Sequence, residues 1–259
     1  MIQMQMSLGE VLRLTLFGTS HGPRVGAFIE GVPAGISIDY HNLETLMSER
    51  RPGGRYASKR REPDKVEFIS GIDNGVTTGG KIEISIKNKD VRTKDYSFLP
   101  DHPRPGHQDM VMMKKTDGEA DLRGGGMSSA RLTAPIVAAS AIIAPLIQQL
   151  GININAHVCA IGIVDSKPIS ECEPKWATEE CKDIRCQDEK AALEMIKVVE
   201  QHRMNLDSIG SKVELQISGM PMGIGEPWFD GLEPYLARAM MSIPAARGVE
   251  FGRGFSVVQ

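Results

Sequence analysis

The chain has 259 residues, 41% hydrophobic and 24% charged, a balance that suits a soluble globular protein long enough to bury a large core. Thirty Lys and Arg against 33 Asp and Glu leave a formal net charge of -3, so bulk charge supplies no drive toward nucleic acid or an anionic membrane. The four cysteines, at 159, 172, 181 and 186, form no CxxC pair, and no charged stretch with an apolar signal core opens the chain; both point to a cytoplasmic protein with reduced, unligated surface thiols and no metal.

Over residues 11–17, Leu12, Leu14 and Leu16 alternate with Arg13 and Thr15, the period of a half-buried strand that ends at Gly18 and the GTSHG turn. A second strand is predicted over 25–32, closed by Pro33 and Gly35. An amphipathic helix over 42–50 then turns Leu43, Leu46 and Met47 inward. Residues 50–62 read as a basic loop carrying Arg50, Arg51, Arg55, Lys59, Arg60 and Arg61 beside Pro52, Gly53 and Gly54. Strands follow over 66–70 and 81–87, with SGIDNGVTTGG supplying the turns between them. Residues 88–126 read as one long loop rich in Gly and Pro, a length that in a compact domain points to function.

From 128 to 150 the pattern is helical, with Ser128 or Ser129 placed to cap it, Gly151 placed to close it, and Pro135 and Pro145 placed to bend it. Its apolar run is too short for a bilayer and reads as a core helix. A strand over 152–164, an irregular surface excursion over 165–188, a helix over 189–204, a strand over 212–218 and a helix over 232–241 complete the pass. With no repeat and no linker, residues 1–259 read as a single catalytic domain.

Arginine is dense in three places: residues 50–61, Arg104 in HPRPGHQD, and Arg123 and Arg131 around GGGMSSAR. Planar guanidinium forks held in Gly- and Pro-rich loops suit a polyanionic small molecule. A solvated basic loop that touches nothing is the plain alternative. The three glycines before a helix could bring backbone N–H groups and a positive helix end to an anion, although an ordinary turn explains them as well. Of six histidines, His21 in GTSHG and His107 in RPGHQD lie in loops beside cations and hydroxyls, where an imidazole can pass a proton near neutral pH. His102 helps shape its loop, and His41, His157 and His202 read as structural. Neither GxGxxG nor GxxxxGK[ST] occurs, so dinucleotide and P-loop signatures are missing.

FGTSHG, GVPAG, RRPGG, RYASKRREPD, SGIDNGVTTGG, RPGHQD, RGGGMSSAR and GEPWFDGLEPYLARAMMSIPAARGVEFGRGF occur in an order that resembles the chorismate synthase family from Gly18 to Phe255. The resemblance implies an α+β fold of layered sheets and helices, of β-α-β sandwich type and lacking its C-terminal part, and a cytoplasmic homotetramer. It implies reduced FMN (FMNH2), with NADPH among the sources of reduction, and a lyase reaction of the shikimate pathway: 1,4-anti-elimination of phosphate from 5-enolpyruvylshikimate 3-phosphate to give chorismate. No nucleic acid or membrane partner is implied. By the same resemblance His21 and His107 are catalytic. Arg51, Arg55, Arg60 (or Arg61), Arg104, Ser129 and Arg131 bind substrate; His107, Ser128, Ser129 and Ala130 bind flavin. Met127 departs from the basic residue of many relatives. Relatives also continue past this point with further flavin-binding residues, which leaves open a catalytically incomplete fragment or an anion- or flavin-binding assembly partner.

Overall fold

The computed structural model describes residues 6–51, 54–57, 60–174 and 176–258; Pro52, Gly53 and Lys59 of the expected basic loop lie outside them. The described chain divides into two compact units, one formed by residues up to 51, 60–145 and 223 onward, the other by 146–222 with part of 52–59. Both combine helices with antiparallel sheet, the α+β class expected.

The first unit opens with β1 (Ser7–Leu8), β2 (Arg13–Gly18), β3 (Arg24–Glu30) and α1 (Tyr40–Arg50), followed by β4 (Val66–Ser70), the short hairpin β5 (Ile72–Asp73) and β6 (Val76–Thr77), and β7 (Ile82–Lys87). Five strands form an antiparallel sheet in the order β1-β2-β3-β7-β4. Its register sets Val25 against Ile86, Ala27 against Ile84 and Ile29 against Ile82, so the side-chain alternation of each strand places all six on one face, where none is exposed. Leu43 and Met47 of α1 and Ala134, Ala138, Ala139, Ala141 and Ile142 of α3 (Thr133–Gln149) complete that core. On the opposite face Phe17 packs on Phe28 at 4.8 Å between ring centroids. The close fit needs Gly26, where a Cβ would fall 2.2 Å from Phe17 Cζ.

Caps fix the helix ends. Asp39 accepts from the backbone N–H of Asn42 at the start of α1, and Ser129 accepts from that of Arg131 ahead of α3. The helical stretch 130–149 is long and apolar enough by composition to cross a membrane, and its inward residues are those of the core just described. Pro135 sits in the first turn of α3, where it breaks no helical hydrogen bond, while Pro145 lies inside the helix. Gly151, with φ +76°, closes it. The expected long loop 88–126 holds a helix, α2 (Asp109–Lys115).

The second unit contains β8 (Asn153–Ile161), β9 (Val164–Asp165), α4 (Glu179–Ile184), α5 (Glu189–Met204) and β10 (Ser211–Ser218), with sheet order β10-β8-β9. The stretch 165–188, expected as an irregular excursion, contributes Cys181, Ile184 and Cys186 to the core on α5. Thr178 caps α4 by accepting from the backbone N–H of Cys181, so the hydroxyl starts a helix inside a polar stretch. Cys181 and Cys186 are therefore buried, not the surface thiols expected, and burial pushes the Cys186 thiol up to about 11. The chain then returns to the first unit, where α6 (Leu232–Met241) buries none of its residues.

Candidate active site

The turn after β2 carries His21, and the strand end fixes where it goes. Ser20 N–H donates to the carbonyl of Gly126 at 3.0 Å, tying the turn to the glycine loop. The Ser20 hydroxyl lies 3.2 Å from the Arg123 carbonyl and 3.0 Å from His21 Nδ1. A carbonyl only accepts, so the hydroxyl hydrogen goes to Arg123 and His21 Nδ1 donates to Ser20, which leaves Nε2 as the outward ring atom. The loop closes on the ring through Gly124, at φ +60°: a Cβ there would stand 2.6 Å from His21 Cε1. Burial pulls the His21 pKa below its usual value, and the nearby Arg60 and Arg123 pull the same way, against Asp121 and Asp95.

Tyr96 joins His21 to the second group of site residues. Its ring meets His21 edge-on at 4.8 Å, and the Arg104 guanidinium lies 5.6 Å from the same ring centroid. Arg104 donates from Nε and Nη2 to the two oxygens of Asp109, at 2.7 Å each, and from Nη2 to the carbonyls of Leu122 and Gly124. His107 Nδ1 lies 2.7 Å from Asp109 Oδ1. The Arg104 fork and the His107 ring hold the Asp109 carboxyl well below the usual carboxylate range despite its burial. His21, Arg104 and His107 thus belong to one connected cluster, although they stand up to 86 positions apart in the sequence.

Beneath this cluster lies a buried charge network. Asp64, 1% exposed, accepts from Arg50 and from Arg131. Arg131 also donates to Asn88 Oδ1 at 2.8 Å, and Glu62 Oε2 lies 3.8 Å from its Nη2. Glu62 accepts from Arg60 at 2.9 Å, and Arg60 Nη2 donates to the carbonyl of Ser20, also at 2.9 Å. Arg60 therefore links the network to the His21 turn, whereas the Arg61 side chain is exposed. Arg131, read from the sequence as a substrate ligand, is 4% exposed with its donors on protein acceptors, which makes it a support for the site.

The remaining expected residues fall in different places. Arg51 turns to Glu44 at 2.7 Å and lines a separate cavity of about 500 Å³ with Tyr40, Lys65 and Phe68. Its neighbour Arg50 is the one that reaches the Ala130 carbonyl, at 3.4 Å. Arg55 belongs to the second unit, where it pairs with Glu200 and stacks on Tyr56. Ser128 and Ala130 are exposed and Ser129 is half-buried, so 128–130 forms an open ledge next to the glycine loop. A cavity of about 630 Å³ adjoins that loop, lined by Thr19, Asp109, Met112, Leu122 and Met127 among others. Among the described residues no group of three or more His, Cys, Asp or Glu is arranged to hold a metal ion.

Comparison with known proteins identifies the family. The family model described as chorismate synthase matches residues 12–259. This chain belongs to the chorismate synthase family. Curated relatives named chorismate synthase include those of Aeropyrum pernix, 43% identical over 256 residues, Porphyromonas gingivalis, 43% over 252, and Methanosarcina barkeri, 41% over 252. Each alignment covers 97% of this chain, and the chain spans 66%, 68% and 68% of the respective relatives. A solved chorismate synthase structure superposes with a TM-score of 0.70 at 24% identity, covering 95% of this chain and 71% of that one, which establishes the shared fold.

Tyr96, Asp109 and the Glu62–Asp64 pair were not singled out from the sequence, and Gly124, read there as one of three glycines that could bring N–H groups to an anion, closes on the His21 ring. Asp109 stands two residues after His107 inside RPGHQD, a spacing that could have suggested a carboxylate behind an imidazole. Tyr96 gave no signal, because its partners come from other loops.

Proposed function

We propose that the site carries out the chorismate synthase reaction, elimination of phosphate from 5-enolpyruvylshikimate 3-phosphate to give chorismate. The observation that carries the reading is one connected cluster, in which Tyr96 and Gly124 join His21 to Arg104 and Asp109 joins Arg104 to His107, in a chain of this family. Arg104 Nη1 makes no hydrogen bond among the described residues, which suits it to bind a carboxylate or phosphate of the substrate. Arg60 and Arg123 add positive field around His21. His21 Nε2 is the atom to protonate the departing phosphate: the C3–O bond breaks with its electron pair on the phosphate oxygen, which takes the proton from Nε2. The C6–H pair completes the new double bond and the C6 hydrogen leaves as a proton to water, so that one proton is taken up and one released.

Reduced FMN fits the residues present. The ledge 128–130 is exposed at Ser128 and Ala130, and among the described residues the Ser128 hydroxyl makes no hydrogen bond, so the ledge offers an open surface and a free hydroxyl to a flat ring, with His107 of the same cluster offering Nε2. When bound, reduced flavin supplies the transient electron donation that lets phosphate leave although the hydrogen at C6 is not acidic. A homotetramer in the cytoplasm completes the proposal, supported by the exposed Trp228, Phe229 and Phe255 and by four free thiols. Sedimentation should give four copies per particle; a monomer would remove that part.

The test is anaerobic incubation with reduced FMN and 5-enolpyruvylshikimate 3-phosphate, using the 259-residue chain and the longest natural product that contains it. Equimolar phosphate and chorismate are expected; neither product from either form would refute the reading.

A further inference from the structure

We propose that Asp109 is the positioning residue of this site, locking His107 in one tautomer and Arg104 in one pose so that only His107 Nε2 and Arg104 Nη1 remain to meet a ligand. The inference deepens the proposed function and depends on it only for the identity of that ligand.

A carboxylate has about four places to accept a hydrogen bond. At Asp109 four N–H groups fill them: Oδ2 accepts from Arg104 N at 2.9 Å and Nε at 2.7 Å, and Oδ1 accepts from Arg104 Nη2 and His107 Nδ1, both at 2.7 Å. The Asp109 side chain is 1% exposed and stands at the first position of α2, where the helix end also favours negative charge. So saturated, the group stays ionised and can only accept. His107 Nδ1 must therefore carry a hydrogen, and the ring, whose side chain is 32% exposed, presents Nε2. Arg104 is restrained in the same way, since Nε and Nη2 are committed to Asp109 and to the Leu122 and Gly124 carbonyls. Gly124 also sets the place of His21, so the Asp109–Arg104 pair reaches both histidines of the cluster.

A carboxylate that served only the fold would be indifferent to the tautomer of a half-exposed imidazole. Asp109→Asn separates the two cases because its NH2 must replace either Oδ2, donor against Arg104 N and Nε, or Oδ1, donor against Arg104 Nη2 with His107 Nδ1 then having to accept. The expected result is a higher KM through Arg104 and a kcat lower by on the order of ten- to a hundred-fold through His107, the range seen when the carboxylate behind a metal-bound histidine is removed. In a His107→Ala background the kcat loss from Asp109→Asn should disappear while the KM effect persists. Equal, additive losses in both backgrounds would overturn the proposal.

The unmutated chain provides a readout that needs neither substrate, flavin nor turnover. Nitrogen-15 NMR of His107 in its neutral form should show hydrogen on Nδ1 and a bare Nε2. Hydrogen on Nε2 would overturn the inference whatever reaction the site performs, and if the Asn variant fails to fold this measurement decides alone.

Discussion

His21 rests in the wrong charge state for the job assigned to it. Burial, Arg60 and Arg123 favour the neutral ring, whereas giving a proton to a leaving phosphate requires imidazolium. An arriving dianion resolves the conflict, because it offsets both arginines and draws a proton onto Nε2. Titration of His21 by NMR should therefore show its midpoint rising when 5-enolpyruvylshikimate 3-phosphate is added; an unchanged or lower midpoint would contradict the assignment. Without ligand the same residue makes the fold sensitive to acid. With its folded pKa below 6.5, its contribution is fully present above that value and is lost as pH falls through the folded pKa, since the unfolded chain takes up the proton first. His21→Gln should flatten that part of the stability profile. His107→Ala should cost on the order of a hundred- to ten-thousand-fold in turnover with little change in melting temperature, as a half-exposed loop histidine contributes little core. Asp64→Ala is expected to behave in the opposite way. It strands Arg50 and the buried Arg131 without their anion, and denaturant unfolding should register a loss of about 3–5 kcal/mol.

Individual elements were legible where one physical rule dominates. Strands β2, β3, β4 and β7 follow from alternation onto a single buried face, and α5 and α6 match the predicted 189–204 and 232–241 spans because each is bounded by its own break signals. Ile84→Ala, in the centre of that sheet, should lower stability by about 2–5 kcal/mol, and Asp39→Ala at the α1 cap by about 1 kcal/mol. A loss at Ile84 within a few tenths would mean that the buried face is misassigned. Elements escaped where the local signal is short or tertiary. Seven residues of α2 lie between a Gly-Pro stretch and Asp117-Gly118, too few to show a helical period. In α4 the burial of Cys181 and Ile184 depends on α5 and β8, which no window of the local sequence contains.

At the scale of the whole molecule, two arginines that motif reading grouped with the cluster instead pair with carboxylates of their own. Arg51 pairs with Glu44, and Arg55 with Glu200 in the second unit. Spacing in a basic loop shows that cations are available; which of them meet depends on the acceptors the fold supplies, and Glu62 and Asp64 select Arg50, Arg60 and Arg131. The histidines and Arg104 were legible because short Gly-bearing turns at strand and helix ends hold them, leaving little freedom in where they point. Catalysis requires those turns to meet around one phosphorylated ring. A crystal structure of the chain with 5-enolpyruvylshikimate 3-phosphate tests this most directly: the account predicts substrate oxygens within hydrogen-bond distance of both His21 Nε2 and Arg104 Nη1, and a substrate bound out of reach of both would contradict it.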